Sequence, residues 1–208
     1  MTWRTAAIAG GFAALCIAMA SPLAHMDHHS LTAHMLQHLL LMLVAAPLIL
    51  LGAPAIVARW QPGLALCWFA GTLTVVAWHV PTVFALAINS PALHHLEHAS
   101  FFIAGILFWW PIMQPVLNAG WSVPLYLFLA TLPCDALSAF LVFCGHVVYR
   151  QYSLAHNLPF GLSPLDDQAL AGALMWVAVT FAYLLPAVVL IARLLASERT
   201  RASEVGIG

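Results

Sequence analysis

The sequence predicts an all-α integral membrane protein, folded as a single bundle of about six transmembrane helices. Of its 208 residues, 63% are hydrophobic and only 6% are charged, and the mean hydropathy is +0.97. Such a chain is too apolar for a surface surrounded by water. A spanning helix needs roughly 20 apolar residues, so the length has room for six spans. The apolar runs also lack the polar/apolar alternation of a barrel strand.

Six apolar segments are predicted to form these helices, within one transmembrane domain over residues 1–208. The segments are 1–22, 33–53, 63–86, 94–117, 121–148 and 168–195. The first segment is interpreted either as a span or as a cleaved signal, which would leave five spans. The second interpretation rests on Arg4 before a short apolar run and on the small-x-small pattern of Ala18-Met19-Ala20.

Arginine indicates how the bundle is oriented. Arginine is enriched in short cytoplasmic connections. With the N-terminus inside, every arginine except Arg150 falls on the cytoplasmic side. The outer face then carries the segments 23–33, 87–93 and 149–167.

Composition also excludes several classes of function. The net charge is -1 and lysine is absent, so the chain lacks the basic surface of a nucleic-acid-binding protein. The four cysteines form no CxxC pair, which argues against a disulfide framework and a thiolate zinc site. We expect the lipid bilayer, and not nucleic acid, to surround or contact the protein.

The histidines point to a function. Histidine is costly inside hydrocarbon, and it is the commonest transition-metal ligand. On the predicted topology all eleven histidines fall in the outer third of the molecule. They are His25, His28, His29, His34, His38, His79, His94, His95, His98, His146 and His156.

Two pairs of these histidines have the spacing of metal ligands. His34 and His38, like His94 and His98, are four residues apart on a predicted helix, so each pair projects from one face. Two facing pairs would make a site of four nitrogen ligands. Nearby thioethers, such as that of Met35, favour Cu(I), whereas imidazoles alone also suit Cu(II) or Zn(II). The identity of the metal stays open.

Four acidic residues and one short segment have candidate roles near these pairs. Glu97 is predicted to orient a ligating imidazole, and Asp166 to cap the last helix. Asp167 is predicted to be an oxygen ligand. Asp135, in the middle of a span, either relays protons or ions or holds helices together. The segment 25–29 is either a metal-collecting tail or a solvated junction.

Several motifs in order resemble the multi-spanning CtaG family of cytochrome c oxidase assembly factors. The motifs are HMLQH at 34–38, GAP at 52–54, WHVP at 78–81, HHLEH at 94–98, FWWP at 108–111, and DQ at 167–168 followed by Gly172 and Met175-Trp176. The resemblance implies a protein of the bacterial plasma membrane that helps to mature a haem-copper oxidase by supplying copper. The metal-binding residues that it implies are His34, His38, His79, His94, His98 and Asp167.

The main functional prediction is a metallochaperone, not an enzyme, that presents exchangeable copper ligands at the outer face to cytochrome c oxidase subunits. Copper is expected as Cu(I) or Cu(II), with zinc and haem as alternatives. A haem-binding or redox membrane protein with axial histidines is the second interpretation. A zinc metalloenzyme is disfavoured because no HExxH motif is present. Whether the bundle forms a homodimer stays open.

Overall fold

The computed structural model describes residues 2–113, 120–153, 158 and 161–204. Every regular element within them is helical, and the helices follow one another in this order: α1 (Trp3–Ala20), α2 (Leu23–Met26), α3 (Leu31–Gly52), α4 (Pro54–Val57), α5 (Leu64–Trp78), α6 (Pro81–Ile88), α7 (Pro91–Met113), α8 (Ser122–Phe143), a 3₁₀ turn (Arg150–Tyr152) and α9 (Pro164–Glu204). Five of them are long and apolar enough to cross a membrane, and α5 with α6 makes a sixth if counted as one span. The predicted fold class is confirmed.

The predicted third span, 63–86, is two helices instead of one. Helices α5 and α6 meet at an angle of 77°. Pro81 explains the break, because it has no N–H to extend α5 and it forces the residue before it out of the helical region. Val80 accordingly has an extended backbone, with φ -63° and ψ 124°. The bend places His79 at an elbow and turns α6 across the end of the bundle.

The predicted bounds of the fifth and sixth segments also differ from the helices. Helix α8 ends at Phe143, where Cys144 becomes extended, and α9 begins at Pro164, four residues before the predicted start. The residues between them form the connection that contains the 3₁₀ turn. Residues 114–117 of the predicted fourth segment lie outside the described residues.

Helix α3 changes its winding just below its histidines. It runs as a π-helix from Leu40 to Ala45. In that winding the N–H of residue 47 would bond to the carbonyl of Met42, but Pro47 has no N–H to offer. The indole N–H of Trp109, on α7, donates to that carbonyl at 2.9 Å. The π segment is therefore stabilised from the neighbouring helix, close to the candidate site.

Glycines allow close packing of α7 against α3 and of α9 against α8. A methyl group added at Gly105 of α7 would lie 3.0 Å from the Met42 backbone of α3, and one added at Gly172 of α9 would lie 3.0 Å from the Ser138 carbonyl of α8. Glycine permits this close approach of two backbones. Helix α1 packs along α3, where Gln37 donates a side-chain hydrogen bond to the carbonyl of Ala18 at 2.8 Å.

This up-and-down arrangement gathers particular helix ends at one end of the bundle. Helices α3, α7 and α9 begin there, and α5 and α8 end there. We call it the histidine end, because it carries the histidine pairs of α3 and α7.

Candidate metal centre

The two predicted histidine pairs face each other. We call His34 and His38 of α3 and His94 and His98 of α7 the histidine cluster. The ring centroids lie 4.3 Å apart within the α3 pair and 4.4 Å apart within the α7 pair. Across the helices, His34 lies 5.5 Å from His94, and His38 lies 5.3 Å from His98. All four side chains are buried.

Two buried carboxylates enter the cluster from different elements. Oε1 of Glu97, on α7, lies 3.3 Å from Nε2 of His34 and 3.6 Å from Nε2 of His38. Oδ2 of Asp27, which follows α2, lies 3.4 Å from Nε2 of His94. Carboxylate oxygens beside imidazole nitrogens form a common donor set for transition metals.

The ligand atoms converge in two overlapping groups, each able to hold one ion. Within each group the available nitrogen and oxygen atoms all lie within 4.8 Å of one another. One group is Asp27, His34, His94 and His98, and the other is His34, His38 and Glu97. His34 belongs to both groups and so occupies the centre of the site.

The hydrogen bonding of the buried polar atoms indicates whether the cluster suits a metal. Buried polar groups in folded proteins nearly always have a hydrogen-bond partner. Here seven buried side-chain atoms have none, and they are Asp27 Oδ1, His34 Nδ1, His38 Nδ1, His38 Nε2, His94 Nε2, Glu97 Oε2 and His98 Nε2. This concentration at one place is costly for folding. A cation bound by several of these atoms would offset that cost, so the residues fit a metal.

Asp27 is held over the cluster by the connection between α8 and α9. The phenol of Tyr152 donates a hydrogen bond to the carbonyl of Asp27. Burial raises the pKa of Tyr152 well above its ordinary value, and the neighbouring Asp27 carboxylate raises it further. The phenol therefore keeps the proton that it donates.

Helix α6 covers the cluster from another side. Phe84 packs edge-on against His34, with 5.0 Å between ring centroids, and it also contacts Tyr149 at 4.1 Å. The Tyr149 phenol donates to the carbonyl of His79 at 3.0 Å. We call α2 with Asp27, α6 and the 3₁₀ turn the roof of the site. A chaperone was expected to present exposed ligands, but this roof buries them.

Comparison with models of known protein families agrees with the resemblance that the sequence motifs indicated. A model described as cytochrome c oxidase caa3 assembly factor matches residues 1–63 and 60–197. The chain belongs to this family. The match extends over both histidine pairs, both cluster carboxylates and the start of α9, and it confirms the resemblance predicted from the sequence. No curated protein and no solved structure matches the chain.

In this family member, Asp167 lies outside both ligand groups. Its Oδ2 accepts the backbone N–H of Leu31 at 2.7 Å, and its Oδ1 accepts the hydroxyl of Ser30 at 2.9 Å. It thereby caps the start of α3 from α9, although it was predicted to be an oxygen ligand. Its neighbour Asp166 accepts from Ser163 at 2.6 Å, within its own first turn. A metal-ligand role for Asp167 stays a prediction.

His79 also lies outside the two groups, just below the cluster. Its ring lies 6.3 Å from that of His38, and its Nε2 faces the sulfur of Met35 at 3.2 Å. It is buried, like the four histidines of the cluster. The elbow between α5 and α6 puts it there, so His79 adjoins the site from beneath.

The histidines outside the cluster, other than His79, are exposed wherever the structure describes them. His25, His29, His95 and His146 are exposed, and His156 lies outside the described residues. His28 is about half exposed, yet its ring contacts that of His94 at 4.9 Å. The segment 25–29 is thus more than a solvated junction, because its Asp27 is buried beside the histidine cluster. The sequence places this acid among histidines, but nothing in it shows that Asp27 turns inward.

Asp135 does not take part in the histidine site. It is partly buried in α8, and it accepts a hydrogen bond from the Thr180 hydroxyl of α9 at 3.4 Å. This contact matches the helix-linking role, one of the two that the sequence left open.

Proposed function

We propose that this protein supports cytochrome c oxidase assembly by binding copper in the histidine cluster and delivering it to an oxidase subunit. The observation that carries the proposal is the convergence of buried imidazole and carboxylate groups, seven of whose atoms have no hydrogen-bond partner. Family membership supports the oxidase as the recipient. The distribution of arginine supports an outward-facing site, and the family resemblance supports a bacterial plasma membrane.

The donor set favours copper over the other candidates. Imidazole nitrogens bind copper and zinc, but thioether sulfur beside them favours Cu(I), and Met35 lines the same cavity as His38. Haem is disfavoured by space, because the imidazoles contact one another directly and the cavity next to His38 and His79 measures about 20 Å³. We expect the purified protein to show no Soret band.

Delivery requires copper to pass the roof. His28 is the candidate entry ligand, because its side chain is 48% exposed while its Nε2 lies 3.9 Å from Oδ1 of Asp27. It therefore lies between the solvent and the ligand group that contains Asp27, His34, His94 and His98. An ion bound by His28 has a short path to Asp27 and His94.

Replacing His28 with alanine is expected to slow copper loading and leave the equilibrium affinity nearly unchanged, because the buried ligands remain. Stopped-flow mixing of the detergent-purified protein with copper measures the rate, and a chelator competition measures the affinity. His29→Ala is the matched control, since His29 is an exposed neighbour in the same segment. Equal loading rates in all three proteins would exclude His28 as the entry ligand.

A rescue experiment tests delivery. In a bacterial strain from which the gene is deleted, the wild-type gene is expected to restore oxidase copper content and activity, and His34→Ala/His98→Ala is expected to fail. Excess copper in the medium should bypass the variant's defect, because a delivery function only raises the copper available to the oxidase. His95→Ala, an exposed neighbour of the ligands, should rescue as the wild type does.

The same experiment separates delivery from a metal-free role. A scaffold that only holds oxidase subunits would work without its histidines, so full rescue by His34→Ala/His98→Ala would refute the proposal. Failure of that variant with no response to added copper, although the variant accumulates normally in the membrane, would also contradict delivery.

A further inference from the structure

A second set of metal-binding atoms lies beneath the histidine cluster. Nε2 of His79 and the sulfur of Met35 are 3.2 Å apart, and both side chains are buried. Neither residue belongs to the two ligand groups of the cluster. They are contributed by different elements, the elbow between α5 and α6 and the first turns of α3.

The orientation of the His79 ring leaves a lone pair directed at the sulfur. Nδ1 of His79 donates to the carbonyl of Val75 at 2.7 Å, so in the neutral ring Nε2 carries no proton. The thioether of Met35 is itself only an acceptor. Two acceptor atoms therefore face each other without a hydrogen between them, an arrangement that a bound cation would stabilise.

The space next to this pair is lined by further soft ligands. A cavity of about 20 Å³ adjoins His79 and Met35, and its walls include the thioethers of Met42 and Met175 and the thiol of Cys134. These residues come from α3, α9 and α8. Thioethers and thiols select Cu(I) over harder ions, and Met and Cys side chains reorient readily. His38 lines both this cavity and the cluster above it.

We propose that His79 and Met35 form a separate Cu(I) site, completed by sulfur atoms of the cavity wall, beneath the histidine cluster. The inference rests on the proposed copper binding but assigns a different position and different ligands. His38 lies between the two sites and is placed to pass an ion from the nitrogen- and oxygen-rich cluster to the sulfur-rich site.

The observed spacing requires little change for an ion to bind. Nitrogen and sulfur bonded to one ion at about 2.0 and 2.3 Å lie roughly 3.5 Å apart at a tetrahedral angle, so the pair needs to separate by roughly 0.3 Å. The unbranched Met35 side chain supplies such a movement through its rotatable bonds.

The test uses X-ray absorption at the copper edge on detergent-purified full-length protein loaded anaerobically with Cu(I). The wild type is expected to show copper–sulfur scattering at about 2.3 Å besides copper–nitrogen scattering. Met35→Leu conserves volume and should fold. In it the sulfur scattering should fall, and Cu(I) affinity should fall by at least about ten-fold, since even changes outside the ligand shell cost 10- to 100-fold.

Met113→Leu is the matched control, because Met113 ends α7 at the opposite end of the bundle from His98. It should leave both readouts unchanged. Copper bound through nitrogen and oxygen alone in the wild type would overturn this inference and leave the proposed function intact. Undiminished sulfur scattering in Met35→Leu would also overturn it. Absence of bound copper in the wild type would refute the proposed function together with the inference.

Discussion

Replacing His34 with alanine is expected to weaken copper binding more than any other single change in the histidine cluster. His34 belongs to both ligand groups, whereas His38 and His94 belong to one group each. Because changes outside the ligand shell of a metal already cost about 10- to 100-fold in affinity, loss of this shared ligand should cost at least about 100-fold. Competition with a copper chelator, on detergent-purified protein, measures the effect.

The variants at the cluster should still fold. The free protein buries several imidazole nitrogens without a partner, so removing one imidazole also removes a buried unsatisfied group. Circular dichroism and size-exclusion chromatography check the fold of each variant. His95→Ala is the control, since it changes an exposed histidine next to His94. A loss of affinity in His95→Ala as large as that in His34→Ala would contradict the assignment.

Replacing Asp167 with alanine is expected to destabilise the protein strongly. Its buried carboxylate accepts hydrogen bonds from Ser30 and from the backbone of Leu31, so the variant leaves two buried donors at the start of α3 unpaired. Hydrogen bonds to a charged group contribute roughly 1.5–3 kcal/mol each, which predicts a loss of at least about 3 kcal/mol. Thermal unfolding in detergent should show a midpoint lower by several degrees.

Asp166→Ala is the matched control for this change. Asp166 is exposed and caps only its own helix, so its loss should cost about 1 kcal/mol. At temperatures well below its unfolding midpoint, Asp167→Ala should still bind copper with unchanged affinity. Loss of copper binding with an unchanged midpoint would instead make Asp167 a ligand, as the family resemblance implied.

The helical segments and the two histidine pairs could be predicted because each depends on local sequence. Lipid requires long apolar runs, and a four-residue spacing on one helix places His34 and His38, or His94 and His98, on one face. The order of the predicted spans then placed all the histidines near one end, and the preference of arginine for the cytoplasm made that end the outer one. None of these steps requires knowledge of which helices touch.

The contributions of Asp27, Asp167 and His79 depend on contacts between distant parts of the chain. Asp27 is held by Tyr152, 125 residues away, and Asp167 caps a helix that begins 136 residues before it. Sequence spacing carries no signal for either contact. The elbow at His79 did have a local signal in Pro81, but the apolar composition of residues 63–86 favoured one continuous span.

The roof explains why the ligands are buried although a delivery function needs exchange. Phe84 packs against both Tyr149 and Tyr152. The two phenols donate hydrogen bonds to the backbone carbonyls of His79 and Asp27. In the proposed function, copper exchange would require these contacts of the roof to open. A stable bundle is thus compatible with an exchangeable ion.

Elemental analysis of the detergent-purified protein, isolated from cells grown with copper, tests the central claim most directly. The wild type and His95→Ala are expected to contain copper in amounts comparable with the protein, and His34→Ala/His98→Ala is expected to contain almost none. Full copper content in that double variant, or a wild type that contains no copper or contains iron with a Soret band, would contradict copper binding by the histidine cluster.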